Sequence, residues 1–304
     1  MPELPEVETL KRELSRSLVG KSIKKARVLW PKTVAPLSVK VFEKKVIGQK
    51  ITKLERRAKM LVINFSGPLS LAIHLKMTGQ LIFIPSKNYT CGTTVPHVYK
   101  LNTKKIIIGG HPAPKDERVL PNPHTRLIFD FTDNSKLYFN DLRKFGWVRL
   151  VDDELLDNLT KHLGLEPLSR LFTVESLADI FKRYPNRTIK QILLDQNLIA
   201  GIGNIYADES CFLAKLLPNK KAGTLKPAQI KKLHKSIIAV LKLSIQKKGT
   251  SSRNYRRSDG SLGGFVPYLY AYGRAGEPCK ICQTKIEKIK HAGRGTHYCP
   301  HCQK

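Results

Sequence analysis

A chain of 304 residues, 41% of them hydrophobic, has material for more than one packed core, and it contains no apolar run long enough to span a bilayer. Its 54 Lys and Arg against 24 Asp and Glu leave a formal charge of +30 that points to a polyanionic partner. The cations are spread along the whole chain rather than gathered on one amphipathic helix, which fits a nucleic acid better than a membrane surface.

The start, Met1-Pro-Glu-Leu-Pro-Glu, is acidic and proline-punctuated, unlike a signal or transit peptide, so the expectation is a soluble protein in a reducing compartment. Residues 3–18 put Val7, Leu10, Leu14 and Leu18 at helical spacing, with Glu3, Glu6 and Glu8 at the end where a helix dipole favours carboxylates. From 22 to about 152 the apolar pattern has period two. Runs such as 60–65, 70–75, 127–132 and 136–140 predict many short strands in a β-sandwich or barrel. Between 86 and 122 this rhythm lapses into a basic, Pro- and Gly-punctuated excursion around one apolar run at Ile106, with room for a hairpin of its own.

After Asp152 the period becomes helical, over 153–162, 174–183, 188–197, 204–214 and 227–246. Gly201 and Gly203 join two of these segments. They predict a tight turn with backbone N–H groups open at the next helix start, a phosphate-sized anion site; an ordinary interhelical turn is the alternative. Residues 249–264 are polar and glycine-rich, suited either to closing over a ligand or to linking modules. Near the end, Cys279-x2-Cys282 and Cys299-x2-Cys302 stand sixteen residues apart. Two such pairs supply the four thiolates of a tetrahedral zinc site, and in a reducing compartment a metal clip is favoured over two disulfides. Cys91 and Cys211 are read as structural or incidental thiols.

Several stretches together resemble the formamidopyrimidine-DNA glycosylases, bacterial enzymes that excise oxidised purines. They are the first nine residues, Arg56-Arg-Ala-Lys-Met, His74-Leu-Lys-Met-Thr-Gly, Asp141-Leu-Arg-Lys-Phe-Gly, the run from Leu194 to Glu209, Tyr272-Gly-Arg-Ala-Gly-Glu-Pro-Cys and the two cysteine pairs. They occur in the family's order and cover nearly the whole chain outside 86–122.

The resemblance implies an α+β multidomain fold. Its parts are an N-terminal catalytic helix with a β-sandwich (1–152), a helix–two-turns–helix domain (153–248), a lesion-covering loop (249–268) and a β-hairpin zinc finger (269–304). It implies a bifunctional glycosylase and AP lyase acting on double-stranded damaged DNA. The protein would be a monomer in the bacterial cytoplasm at the nucleoid, with one structural Zn2+ held by Cys279, Cys282, Cys299 and Cys302, no redox or nucleotide cofactor and no membrane partner. Pro2, Glu3, Glu6, Lys59 and Arg294 match the catalytic positions. Met77, Arg143 and Phe145 match the wedge that fills the gap left by an extruded base, and His124, Arg187 and Asn204 match other DNA contacts. Read without the resemblance, Pro2 is a first-turn proline, Glu3 and Glu6 are helix-start carboxylates, and Met77 and Phe145 are core. Lys76, Lys144 and Asn254 depart from the family's usual glycine, arginine and aspartate, which leaves the lesion spectrum more open than the reaction. A catalytically silent damage-binding relative and an endonuclease VIII-like pyrimidine enzyme are the competing readings.

Overall fold

The computed structural model describes residues 1–86, 107–110, 120–250 and 264–304, in two compact units. The first comprises Met1–Lys161 with Lys248–Gly263. Helix α1 (Leu4–Leu18) has Pro5 in its first turn, where the missing N–H costs nothing, and it buries Val7, Leu10, Leu14 and Leu18. Two antiparallel sheets follow. One has the order β1 (Ile23–Val28), β7 (Thr125–Phe131), β8 (Lys136–Asp141), β5 (Gly79–Ile84), β6 (Ile107–Gly110). The other runs β2 (Ile51–Arg57), β3 (Met60–Phe65), β4 (Ser70–His74), β9 (Trp147–Val151). Alternation sends Leu61, Ile63 and Phe65 from one sheet and Leu81, Phe83, Leu137 and Phe139 from the other into a single core that also takes the α1 stripe. Each such buried side chain contributes about 1.5–3 kcal/mol. The sandwich is thus built around its first helix.

The period-two reading of 22–152 misses a helix, α2 (Val39–Val46). Val39 and Val41 imitate a strand, but Ser38 caps the N-terminus by accepting from the Val41 N–H (3.4 Å), and the buried residues Phe42 and Val46 are four apart. Of the 86–122 excursion, the described residues show β6 on the edge of the first sheet, paired with β5. Cys91 lies outside the described residues. Helix α3 (Asp153–Thr160), capped by Asp152, belongs to this first unit, which runs on to Lys161.

The second unit comprises His162–Lys247 with Gly264–Lys304. Helices α4 (Val174–Arg183), α5 (Ile189–Leu194), α6 (Asn204–Ala214) and α7 (Pro227–Gln246) share a core that includes Leu177, Phe181, Ile192, Tyr206, Leu233, Ile237 and Leu241. The Cys211 thiol is buried in it and pushed up by that burial and by the nearby Asp208 charge. Helix α5 ends three residues short of the periodicity because Asp195 leaves the helical region and starts the next turn. Phe265, inside the stretch read as a lesion-covering loop, is buried against Tyr206, and the stretch 251–263 lies outside the described residues. A hairpin of β10 (Glu287–His291) and β11 (Arg294–Tyr298) closes through Ala292 and Gly293, with φ of 50° and 72°. Two consecutive left-handed residues match the right-handed twist of a hairpin, and glycine makes the second inexpensive.

Candidate nucleic-acid interface and metal centre

In the first unit Pro2 and Glu3 are buried at the start of α1. Glu6 accepts the Glu3 N–H at 3.0 Å with one oxygen, and the Thr250 N–H (2.8 Å) and hydroxyl (2.9 Å) with the other. Its carboxylate therefore joins the chain start to residue 250. Gly249, with φ of 83°, passes so close that an added Cβ would lie 2.9 Å from Glu6 Oε1.

Lys59 is only 6% exposed, in the tight turn between β2 and β3 where Ala58 is left-handed (φ 53°). That hairpin is held to α1 by Arg56, whose guanidinium donates to Glu8 Oε2 (3.1 Å) and to the Ala58 carbonyl (2.9 Å). Burial alone would raise the Glu8 pKa, but hydrogen bonds from Lys11, Arg12 and Arg56 hold it below the usual carboxylate range. Glu8 is thus more than a helix-start carboxylate: it fastens the Lys59 turn to the helix that begins with Pro2.

His74, absent from the sequence candidates, stands opposite Met60 in the β3–β4 register, next to Lys59. Its Nδ1 accepts the Lys76 N–H (2.9 Å), so the proton of the neutral ring sits on Nε2. Burial, with the Lys76 and Lys59 charges, pushes its pKa from 6.5 down to about 3. The unfolded chain takes up this proton near pH 6.5 and the folded chain only near pH 3. Stability from this group is therefore complete above about pH 6.5 and falls by up to about 1.4 kcal/mol per unit as pH drops towards 3. Thermal melts at pH 7 and pH 5 check it: His74→Gln should lose less stability over that interval than the wild type, and equal losses would contradict the assignment.

Met77, Arg143 and Phe145 all project from this unit, with Met77 38% and Phe145 54% exposed and Arg143 exposed. None of them is core. The two turns that carry them are cross-tied. Thr78 Oγ1 donates to Asp141 Oδ1 and accepts the Arg143 N–H (3.0 Å), and Asp141 Oδ2 accepts the Gly146 N–H (2.6 Å). Gly79 lies 2.4 Å, measured from an added Cβ, from the Leu75 carbonyl, so only glycine fits there. The Arg143 guanidinium stands 4.8 Å over the Phe145 ring, making one exposed cationic and aromatic tip. His124 is half-buried beside it, its carbonyl accepting the Asp141 N–H (2.8 Å).

In the second unit a single hydrogen bond brings two candidates together: Asn204, first residue of α6, donates from Nδ2 to the Gly295 carbonyl (3.0 Å), next to the exposed Arg294. The Gly201–Gly203 turn is buried rather than open. Gln196 stitches it by accepting the Gly201 N–H (2.9 Å) and donating to the Ile202 carbonyl (2.8 Å). Arg187 pairs with Asp195 (2.9 Å) and donates to the Gln191 carbonyl (3.2 Å), bracing the entry to α5.

Beneath Arg294 lies an ion pair that sequence reasoning missed. Lys190 and Asp208, both 0% exposed, meet at 2.5 Å. Lys190 also donates to Thr296 Oγ1 (2.8 Å) and the Gly295 carbonyl (3.1 Å), and Asp208 Oδ2 accepts the His297 N–H (2.9 Å). β11 is thereby fixed to α5 and α6.

The four paired cysteines bring their sulfurs within 4.8 Å of one another, with Cys279–Cys302 at 3.9 Å and Cys282–Cys299 at 3.5 Å. A tetrahedral zinc with Zn–S near 2.3 Å places its sulfurs about 3.8 Å apart, so the cluster has the right size. Burial and the neighbouring sulfurs push the Cys302 thiol up, while hydrogen bonding, first from Thr284, pulls the Cys282 thiol down; a dication among the four sulfurs favours the thiolate form of each.

Family models match three stretches of the chain: the formamidopyrimidine-DNA glycosylase N-terminal domain over residues 1–148, the formamidopyrimidine-DNA glycosylase H2TH domain over 163–256, and the zinc finger found in FPG and IleRS over 276–304. The chain belongs to the formamidopyrimidine-DNA glycosylase family. The formamidopyrimidine-DNA glycosylase of Pelotomaculum thermopropionicum is 39% identical over 306 residues, covering 100% of this chain and 99% of the relative. Among solved structures, Lactococcus lactis Fpg (MutM) bound to DNA containing N7-benzyl-Fapy-dG superposes with a TM-score of 0.82 at 32% identity, over 100% of both chains. The same enzyme with abasic-site DNA gives 0.82 at 33% identity over 99% of both.

The family's zinc finger and the sulfur geometry agree on one structural zinc ion, with no ligand position left open for catalysis. The local core, Phe212, Ala271 and Ile286 with Cys279 and Cys299, is too small to stand without it. Cys279→Ser is expected to lose stoichiometric zinc and to make β10–β11 protease-sensitive, while the first unit, which shares none of these residues, keeps its melting transition. Metal analysis and limited proteolysis check this, and retained zinc in the variant would refute it.

Proposed function

We propose that the chain is a bifunctional DNA glycosylase and AP lyase of base excision repair. In this reading it extrudes oxidised purines, 8-oxoguanine and formamidopyrimidines, from duplex DNA, excises them through a Schiff base on Pro2, and nicks the strand by β,δ-elimination. The observation that carries the reading is the Pro2–Glu3–Glu6 helix start with the buried Lys59 turn fastened to the same helix through Glu8 and Arg56.

The chemistry follows from the residue types. Once Met1 is removed, Pro2 offers a secondary amine with a pKa nearer the α-amino value of about 8 than the lysine value of about 10.4, and a helix start lowers it further. The neutral amine attacks the sugar C1′ and the base leaves with its bonding electrons and a proton. Glu3 moves protons at the sugar ring. Opening of the C1′–O4′ bond, with a proton delivered to O4′, leaves a cationic C1′=N iminium. Loss of a proton at C2′ lets that bonding pair expel the 3′ phosphate, and a second proton loss at C4′ expels the 5′ phosphate. Lys59 and Arg294 hold phosphates beside the reacting sugar, and Glu6 fixes the helix start.

A base inside a duplex cannot be reached, so Met77 and Phe145 replace its stacking while Arg143 bonds the widowed partner. Asn204, His124 and Arg187 support the backbone contacts. The protein would act as a monomer in the cytoplasm.

Borohydride trapping on an 8-oxoguanine duplex tests the reading, because a covalent complex forms only through a Schiff base. A silent damage-binding relative gives none. Competition among 8-oxoguanine, formamidopyrimidine and thymine-glycol duplexes separates purine from pyrimidine preference, and faster release of thymine glycol would overturn the substrate assignment. Affinity for undamaged duplex is also expected to fall steeply with salt, with a log–log slope of about −0.9 per neutralised phosphate. Affinity that stays flat across a salt titration would contradict that footprint.

A further inference from the structure

Between Arg143 and Phe145 stands Lys144, which none of the assignments above uses. It is exposed and left-handed, with φ of 59°, a conformation lysine adopts only under local constraint. Its ammonium lies 3.9 Å from the centroid of the Trp30 ring. Trp30 follows β1, and its backbone N–H donates to the Arg126 carbonyl (3.2 Å). Arg126, itself buried in β7, donates from Nε to the Asp141 carbonyl (2.9 Å) at the base of the same turn. The contacts close a circuit from Trp30 through Arg126 and Asp141 to Lys144 and back. Base and tip of the turn are both referred to the rigid β1–β7 pair. Among the described residues the buried indole N–H has no hydrogen-bond partner, and what Trp30 offers Lys144 is its π face.

We propose that Trp30 is a positioning residue for base extrusion: its ring captures the Lys144 ammonium and so holds the left-handed tip that presents Arg143 and Phe145 outward together. The inference rests on the glycosylase reading given above. A wedge must enter the gap as the stack opens, and a tip that first has to be ordered enters slowly. Lys144 spends its charge on the ring, where a half-buried aromatic face desolvates it, rather than on a phosphate.

The test compares wild type, Trp30→Phe, Trp30→Leu, Lys144→Met and the double variant Trp30→Leu/Lys144→Met. The substrates are a duplex with 8-oxoguanine beside 2-aminopurine, whose fluorescence reports unstacking, and a single-stranded abasic oligonucleotide, from which no base has to be extruded. Trp30→Leu and Lys144→Met are each expected to slow the fluorescence phase and base release about tenfold, with Trp30→Phe within about threefold of wild type. The double variant should be no slower than either single one, because both remove the same contact. All should cut the abasic strand at the wild-type rate. An additive loss of about a hundredfold in the double variant would mean that Lys144 grips DNA independently, and would overturn the proposal. So would equal losses on the abasic strand, or an unchanged fluorescence phase. Should Trp30→Leu fail to fold, Lys144→Met, at an exposed site, carries the comparison with Trp30→Phe. A wild type that releases no base from the lesion duplex would instead remove the glycosylase reading itself.

Discussion

Protein carrying a blocked Pro2, through retained Met1 or an N-terminal tag, is expected to release base and cleave strand at least about a thousandfold more slowly than processed protein. An acylated proline nitrogen is an amide: its lone pair is delocalised and no iminium forms. Folding should be untouched, because Met1 is already 42% exposed and α1 is held by Pro5 and its buried stripe rather than by the first residue. Lesion-duplex affinity and melting temperature should therefore match those of processed protein, with only the chemistry lost. Mass spectrometry of the N-terminus with single-turnover rates on the same preparation checks this. Normal turnover by unprocessed protein would remove Pro2 from the mechanism.

The second large effect is expected at Lys190. Lys190→Met deletes one partner of a fully buried ion pair and leaves Asp208, among the described residues, with the His297 contacts. Breaking such a pair typically costs about 3–5 kcal/mol, the remaining donors placing this one near the lower end. The damage should be local. The four cysteines keep their zinc, while β11 loses its ties to α5 and α6 and Arg294 loses its fixed place. Strand cleavage should then fall by at least about tenfold with stoichiometric zinc retained. The double variant Lys190→Met/Asp208→Leu, which removes both charges, should recover much of the stability. Calorimetry, metal content and cleavage rates decide it, and a single variant that melts and cuts like wild type would show that the pair does not position the hairpin.

The features of this chain differ in how visible they are in the sequence. The stripe of Val7, Leu10, Leu14 and Leu18, helices α4, α6 and α7, and the paired cysteines are local patterns, and their periods and spacings carry the information. Helix α2 was hidden because Val39 and Val41 counterfeit a strand until Phe42 and Val46 show the true period. The ties that hold the candidate residues in place were not legible at all. Glu8 meets Arg56 across 48 residues and Asp208 meets His297 across 89, and nothing in either local context distinguishes these charges from solvated ones. His74 carries no local signal for the same reason, since its fixed tautomer depends on a turn that only the folded chain forms. Exposure of Met77 and Phe145 is the reverse case: composition assigns them to a core, and the fold leaves them outside.

The burial of α1 also sets an order of events in time. Its stripe shares one core with Phe83, Leu127, Leu137 and Phe139, so the first helix to be synthesised is not fully enclosed until the chain has grown past residue 139. At about 5–20 residues per second, the last of those strands emerges roughly 7–27 seconds after Pro2. On the Pro2 reading, a processing enzyme meets the first peptide bond as an open, flexible end only during that interval. Afterwards Pro2 and Glu3 are buried, with Glu6 stapled to Thr250 from the far end of the unit. Maturation of the nucleophile is therefore a race against folding, and overexpression that outruns the processing enzyme would accumulate well-folded molecules that bind DNA and do no chemistry.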